Sequence, residues 1–179
     1  MPIVAADILF KFSVKTGTAG NQTAGTADGS LGKYISTTQM PDATLHNLFD
    51  VVTGDENAAS DVEYRCIFVH NAHATLTWLT PVVWLSAETA GGTNSAIAID
   101  GVVASAIGAT PAQADEVANE GTAPTGEVFS APPTKATGLS LLDLPAGQCR
   151  AIWLRRTAAN TVALDNDDVT IRVEGDTQA

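Results

Sequence analysis

The chain has few charged residues, and those it has are mostly acidic. Only 16% of its 179 residues are Asp, Glu, Lys or Arg, against about 25% in typical globular proteins. Nine basic and twenty acidic residues give a net charge of -11. That sign opposes the phosphate backbone of nucleic acids, so we predict no nucleic-acid partner. The low total charge suits a surface that lies against other subunits, because interface cores are depleted of charge.

Long apolar runs, cysteine motifs and enzyme motifs are also missing from the sequence. No run approaches the about 20 residues of a membrane-spanning helix, and the first twelve residues lack the regions of a secretory signal. We therefore predict a soluble intracellular chain with no membrane partner. Cys66 and Cys149 are too few for a disulfide framework, and we expect both to be reduced and buried. Without a P-loop, G-x-G-x-x-G or G-x-S-x-G motif, we expect neither an enzyme nor a cofactor.

Alternation of apolar and polar residues predicts β-strands along most of the chain. It is clearest in residues 8–14, 62–70, 148–157 and 169–175, and the connections are rich in Gly, Pro, Asn and Asp. The count is about eight or nine strands with at most one short helix. This pattern predicts an all-β fold, a single domain over 1–179 built as a β-sandwich with jelly-roll-like antiparallel sheets.

Two segments have too few large apolar residues to predict regular structure. Residues 16–30 contain almost only Gly, Thr, Ala, Asn and other small or polar residues, so we expect a flexible N-terminal loop or arm that orders against a partner. Residues 90–136 are rich in Ala, Gly, Thr and Pro. We expect them to form a long, weakly structured excursion with two or three short strands.

Three local patterns give more specific predictions. Asp42 is a good N-cap, and the apolar residues that follow have helical spacing, which predicts one or two helical turns in 41–52. Residues 53–61 are polar and predict a turn. Asn71 predicts a tight connection from the strand 62–70 to a neighbouring strand over 73–79, and Pro81 predicts the first residue of a further strand.

Cys66, His70 and His73 lie close together in the sequence and could in principle bind a metal. On a strand, Cys66 and His70 share a face but are about 13 Å apart, too far for one ion to bind both. The same distance prevents a nucleophile pair of Cys66 with His70, and Cys149 has no histidine near it in the sequence, so a Cys-His pair could form only between segments that are distant in the sequence. We therefore predict a buried structural thiol and two histidines at strand ends, with no metal and no catalytic residue.

Two acidic loops are candidates for calcium, which binds six to eight oxygen ligands. They contain Asp55, Glu56, Asp61 and Glu63, and Asp165, Asp167 and Asp168. Both lack the glycine and the closing glutamate of a calcium-binding loop, so ordinary β-turns are the preferred interpretation.

The remaining polar and aromatic candidates have structural interpretations. Arg155 and Arg156 are successive strand residues that face opposite sides, so we expect a salt bridge to a neighbouring strand or subunit rather than an anion clamp. The tryptophans Trp78, Trp84 and Trp153 are expected in the core, with stacking on carbohydrate or a partner as the alternative. The sequence Asn-Gln-Thr at 21–23 matches a glycosylation sequon, but without a secretory signal it predicts no glycan.

Two stretches, 43–85 and 137–177, resemble virion structural proteins of tailed bacteriophages. The shared features are a strand with a Tyr-Arg-Cys core at 64–66, an Asn turn, and a late strand with the pattern "PAG…IW.RRT". Together these stretches cover about half of the chain. Neither contains a catalytic motif.

The resemblance implies a capsid decoration (cement) protein that binds the outer capsid surface and stabilises the head. Its expected partners are the major capsid protein and further copies of itself, as a dimer or trimer. Its expected location is the capsid surface of the virion, after assembly in the host cytoplasm. The alternative is a tail, baseplate or fibre-associated module that engages carbohydrate or another virion protein.

Overall fold

The computed structural model describes residues 2–18, 23–106 and 112–177. Its elements are a 3-10 turn Ala5–Asp7, β1 Ile8–Val14, β2 Tyr34–Gln39, α1 Gly54–Ala59, β3 Val62–Asn71, β4 Trp78–Glu88, β5 Asn94–Ile99, β6 Ser105–Ala106, a 3-10 turn Lys135–Thr137, β7 Leu139–Ser140, β8 Gln148–Thr157 and β9 Val169–Thr177. One sheet has the order β2-β1-β3-β8-β5, with β6 also paired to β8, and the other has the order β7-β4-β9. All pairs are antiparallel. The all-β sandwich of about nine strands is therefore confirmed over the described ranges.

The main core lies between the two sheets. It is made of apolar side chains from both sheets and from the loops beside them: Phe12, Leu48, Ile67, Val69, Trp78, Val83, Leu85, Ile97, Leu141, Leu144, Ile152 and Leu154. In β3, Ile67 and Val69 face this core, while Cys66 and Phe68 belong to a second cluster on the other side of the sheet. This strand is buried on both faces, as its continuous apolar run from Cys66 predicts.

The second cluster is closed by two segments that the sequence predicted to be weakly structured. We call residues 23–33 and 112–130 the cover loops. Ala114 and Val117 pack on Phe68, Trp153 and their neighbours. Backbone bonds fasten both cover loops to β3, since Ser30 accepts from Cys66 N (2.7 Å) and Glu120 accepts from Tyr64 N (2.8 Å). Residues 23–30 of the predicted arm thus pack on the sheet of the same chain.

The helix predicted in 41–52 is wrong. This segment consists of turns, because Ala43 and His46 have φ angles of 50° and 55°, outside the right-handed helical region. Side-chain bonds stabilise the turns, with Asn47 Nδ2 donating to the Pro41 carbonyl at 2.9 Å. The three apolar residues at helical spacing in this segment belong to a loop, and those that point inward contact the core.

The helix lies instead in 53–61, which the sequence analysis predicted to be a turn. Thr53 Oγ1 accepts from Glu56 N at 3.3 Å, and the Glu56 carboxylate accepts from Thr53 N at 2.6 Å. This reciprocal pair is a capping box, whose sequence signature is Thr or Ser followed three residues later by Glu. Ser60, with φ 54°, ends the helix in the left-handed conformation.

The strands β3 and β4 are not neighbours in one sheet, so the hairpin predicted at Asn71 is wrong. Residues 72–77 form a loop that crosses from one sheet to the other. Asn71 Nδ2 donates to the Leu76 carbonyl at 2.9 Å, and its Oδ1 accepts from His73 N at 3.1 Å. His73 Nδ1 accepts from Leu76 N at 3.0 Å. These side chains provide hydrogen-bond partners for backbone groups that would otherwise pair with a neighbouring strand.

Pro81 lies inside β4, not at the start of a separate strand. The pairing of β4 with β9 shifts between Leu79 and Val82, and Thr80 between them has a φ of 47°. A β-bulge of this kind accommodates proline in a central strand, because the ladder is already interrupted there.

Candidate binding groove

A groove of about 1120 Å³ lies between the two sheets, beside the start of β9. Its floor includes Ile8 and Phe10 of β1 and Leu154 of β8. Its walls are residues 41–53, which we call the groove loop, and residues 159–168, which we call the pre-β9 loop. Both walls are irregular segments on a rigid sandwich, an arrangement typical of binding surfaces.

Arg156 anchors the groove loop to the larger sheet. It lies directly opposite Glu63 in the pairing of β3 with β8, and its Nε donates to Glu63 Oε2 at 2.7 Å. Its terminal nitrogens donate to the Asp50 carbonyl at 2.5 Å and to Asp50 Oδ1 at 3.1 Å. Both Arg156 and Glu63 are buried, and burial raises the pKa of Glu63 although the guanidinium opposes that change.

A second buried arginine reinforces this anchor. Arg65 Nε donates to the Leu48 carbonyl of the groove loop at 3.2 Å, and its guanidinium also forms a salt bridge with Glu120 of a cover loop. The guanidinium carbons of Arg65 and Arg156 lie 5.6 and 4.8 Å from the Phe49 ring centroid, within range for cation-π attraction. The groove loop is therefore tied to the sheet by charge and by ring contacts, even though it has no regular secondary structure.

Aliphatic side chains are exposed on both walls of the groove. Leu45 and Val51 of the groove loop are 68% and 60% exposed, and Val162 and Leu164 of the pre-β9 loop are 85% and 45% exposed. Single exposed aliphatic residues are common in folded proteins. Four of them around one concave surface form an apolar patch of the kind that marks an interaction site.

The rim of the groove is acidic. Five aspartates line it, Asp42, Asp50, Asp165, Asp167 and Asp168, while its one arginine, Arg156, is already paired with carboxylates. Asp167 and Asp168 also hold the pre-β9 loop, since they accept from Thr93 N (2.6 Å) and from Thr89 Oγ1 (2.5 Å). The groove thus combines an apolar interior with a negative rim.

The two acidic loops singled out as calcium candidates do not gather their carboxylates. Among the residues that the structure describes, neither loop contributes a group of three ligands within 4.8 Å. Three of their carboxylates have other partners: Glu56 caps α1, Asp61 accepts from Val62 N at 2.8 Å, and Glu63 pairs with Arg156.

A different trio of carboxylates does come together, which the sequence analysis did not find. Oxygens of Asp100, Asp115 and Glu127 lie within 4.8 Å of one another, and burial together with the charge of Asp100 raises the pKa of both Asp115 and Glu127. Oxygen trios of this kind are ligands that Ca²⁺ or Mg²⁺ takes. The oxygens of Asp100 already accept from Trp153 Nε1 (2.8 Å), Asp115 N (2.9 Å) and Val102 N (2.8 Å). The trio therefore has a structural explanation, as the fastening of a cover loop to β8.

Among the described residues, Cys66, His70 and His73 do not come together as a group of three metal ligands. Cys66 and His70 are four residues apart on β3, and His73 is part of the crossing loop, where its Nδ1 accepts backbone hydrogen bonds. The register instead places Cys149 directly opposite His70. This pairing of a cysteine with a histidine depends on strand order, so it cannot be predicted from residues that are close in the sequence.

The Cys149-His70 pair is unsuited to nucleophilic chemistry. Burial raises the pKa of the Cys149 thiol to about 12 and lowers the pKa of His70 to about 4. A reactive pair needs the opposite order, with thiolate and imidazolium. Cys149 is further occupied by Gln113 Nε2, which donates to its sulfur at 3.3 Å. Both cysteines are free and buried, as predicted.

The other candidate residues have the structural roles that the sequence predicted. Arg156 forms the expected salt bridge to a neighbouring strand, while Arg155 lies on the opposite face with its guanidinium carbon 5.4 Å from the Phe129 ring centroid. All three tryptophans are buried, at 0–7% exposure. In the sequon at 21–23, the first two residues lie outside the described ranges.

Within the described part of the chain, no helix is long and apolar enough to cross a membrane. Comparisons with protein-family models, with curated proteins and with solved structures found no match to the chain.

Proposed function

We propose that the chain is a structural protein of a tailed-bacteriophage virion, a decoration protein that binds the outer capsid surface and stabilises the head. Its partners are the major capsid protein and further copies of itself. The observation that carries the proposal is the groove, in which four exposed aliphatic side chains surround a concave surface. The low content of charged residues, 16% of the chain, agrees with a role in assembly.

The charge of the groove indicates what it binds. Five aspartates line the groove, of which Asp50 is paired with Arg156, and the chain as a whole has a net charge of -11. Complementary potentials give specificity and speed to association. The groove therefore fits a segment of the major capsid protein that carries aliphatic side chains flanked by Lys or Arg.

The alternative is a tail, baseplate or fibre-associated module that engages carbohydrate or another virion protein, and its carbohydrate-binding form has less support. Such a module uses exposed aromatic rings on which sugars stack, yet Trp78, Trp84 and Trp153 are all buried. Of the three aspartates in the pre-β9 loop, Asp167 and Asp168 accept hydrogen bonds from Thr93 and Thr89 of the same chain.

The proposal is tested with two matched valines. Val162 lies on a groove wall and is 85% exposed, while Val128 lies in a cover loop outside the groove and is 82% exposed. Neither is packed in the core, so Val162→Asp and Val128→Asp should both fold as the parent does. Purified capsids from which the protein has been removed are mixed with each variant, and bound protein and capsid melting temperature are measured.

We expect the parent and Val128→Asp to rebind and to raise the capsid melting temperature, and Val162→Asp to bind at least about tenfold more weakly, since a charge replaces a buried apolar contact. Equal binding of the two variants would contradict the assignment of the groove. Failure of the parent itself to bind capsids would contradict the decoration function.

A further inference from the structure

Strand β9 is an open sheet edge. It is the last strand of the order β7-β4-β9, and no backbone hydrogen bond joins its outer edge to another described residue. It is nine residues long, Val169–Thr177, and contains no proline. Long uncovered edges of this kind are templates for pairing with another strand.

The other edges are short or covered by the chain itself. On β2, Thr37 N donates to the Thr23 carbonyl at 2.9 Å, and on β5, Ile97 and Ser130 exchange backbone bonds of 2.8 and 3.0 Å. The outer strand β7 is two residues long. Within the described ranges, β9 is thus the one long edge that is left without a partner.

The surface beneath β9 is also incompletely covered. Its inward-facing residues are only half-buried, although Ile171 and Val173 pack against the main core. Beside them lies a cavity of about 400 Å³ lined by Ile3, Val4 and other residues, and Val4 is 53% exposed. A strand added to this edge would cover these apolar groups.

We propose that β9 pairs with β9 of a second copy of the chain, antiparallel and centred on Val173. In this register, Arg172 of each copy lies opposite Glu174 of the other on the outward face, so two opposite-charge pairs form. Val173 meets its equivalent on the inward face, and Ile171 lies opposite Gly175. The two three-stranded sheets then become one continuous six-stranded sheet across a two-fold axis.

The charges select this register over its neighbours. Only registers that keep both inward faces on the same side are allowed, because side chains alternate along a strand. Centring the axis on Arg172 would place that arginine opposite itself, and centring it on Glu174 would place two glutamates together. Charged residues protect an edge against unrelated strands, but the order Arg-Val-Glu makes this edge complementary to its own copy.

The inference deepens the homo-oligomer part of the proposed function and does not depend on capsid binding, so the two can fail separately. The parent chain, Arg172→Glu, Glu174→Arg and the double variant Arg172→Glu/Glu174→Arg are compared by sedimentation velocity over a range of concentrations. Each single change converts both attractive pairs into like-charge pairs, whereas the double change restores them with reversed signs. Lys135→Ala is the control, because it removes the salt bridge of Glu174 within its own chain, at 2.6 Å, and leaves both charge pairs between the two copies in place.

We expect a dimer for the parent, Lys135→Ala and the double variant, and a Kd about tenfold or more higher for each single variant, since each single change replaces two attractive cross-strand pairs by two repulsive ones. A parent that stays monomeric at its highest soluble concentration would overturn the inference. So would a dimer that Arg172→Glu leaves unchanged, because that dimer would form through another surface.

Cysteine cross-linking tests the register itself. Val173→Cys places two thiols opposite each other at the axis, and mild oxidation with oxidised glutathione should link them into a covalent dimer. Thr170→Cys is the matched control, since position 170 lies opposite Asp176 and far from its own equivalent. The native thiols do not interfere, because Cys66 and Cys149 are buried. Equal cross-linking at both positions, or none at 173, would overturn the proposed register.

Discussion

Replacing Arg156 with methionine removes the cation that holds the groove loop to the larger sheet. The buried Glu63 carboxylate then loses its counter-charge, since Arg156 supplies two of its contacts. Removing one partner of a buried ion pair costs about 3–5 kcal/mol, and the lost hydrogen bonds to Asp50 cost about 1 kcal/mol more. We expect Arg156→Met to lower the free energy of unfolding by about 4 kcal/mol, because protonation of Glu63 recovers part of the loss.

The matched variants separate the charge from the packing. Glu63→Met/Arg156→Met removes both charges, and buried ion pairs replaced by apolar side chains of similar volume are often neutral. The double variant should therefore recover at least half of the loss. Arg155→Met, on the opposite face of β8, loses mainly its contact with Phe129 and should cost about 1 kcal/mol or less.

Urea unfolding followed by tryptophan fluorescence measures these differences. The pH dependence of the loss in stability is an independent test. A carboxyl whose folded pKa is raised destabilises the fold when it ionises, so the loss in Arg156→Met should be larger at pH 8 than at pH 5. A loss below about 1 kcal/mol, or a double variant no more stable than the single one, would refute the anchoring role of this pair.

The buried titratable groups give three further predictions. Because burial lowers the pKa of His70 to about 4, the parent should lose about 2 kcal/mol of stability between pH 7 and pH 5, and His70→Gln should lack that loss in urea unfolding. Because burial raises the pKa of the Cys66 and Cys149 thiols, neither should react with Ellman's reagent at pH 8 until the chain unfolds. Glu127→Gln keeps an oxygen acceptor for Gly101 N but removes one charge of the trio. The variant should have a higher melting temperature than the parent at pH 7, which corresponds to a gain of less than about 1 kcal/mol in the free energy of unfolding. Near pH 4 the two melting temperatures should be equal.

Each of these has a clear contrary result. Identical pH profiles for the parent and His70→Gln would show that the imidazole does not titrate with folding. Rapid labelling of the native protein would show accessible thiols. A Glu127→Gln variant less stable than the parent at pH 7 would show that the third carboxylate stabilises the trio, as it would around a bound cation.

The sandwich could be predicted because strand alternation is a local signal. Residues 8–14 and 148–157 carry period-two patterns, and they form β1 and β8 with the predicted limits. The position of the helix could also have been found, since the Thr53-Glu56 capping box is visible in the sequence. The helical spacing of apolar residues in the groove loop is a competing signal, but these residues form turns from which apolar side chains reach the core.

The sites depend on pairings that are distant in sequence. Cys149 faces His70, and Arg156 faces Glu63, only because β3 and β8 are adjacent. All three carboxylates of the trio, Asp100, Asp115 and Glu127, lie within the 90–136 excursion, which has no periodic pattern that predicts where they meet. Composition describes such a segment as weakly structured, yet Ala114 and Val117 bury it against a sheet.

Copy number per virion tests the central claim most directly. Quantitative mass spectrometry of purified particles, with the major capsid protein as internal reference, gives the number of copies. A decoration protein that covers the capsid lattice should be present in hundreds of copies. A count in the tens or lower would contradict the decoration function and would place the protein in the tail or at another unique position of the particle.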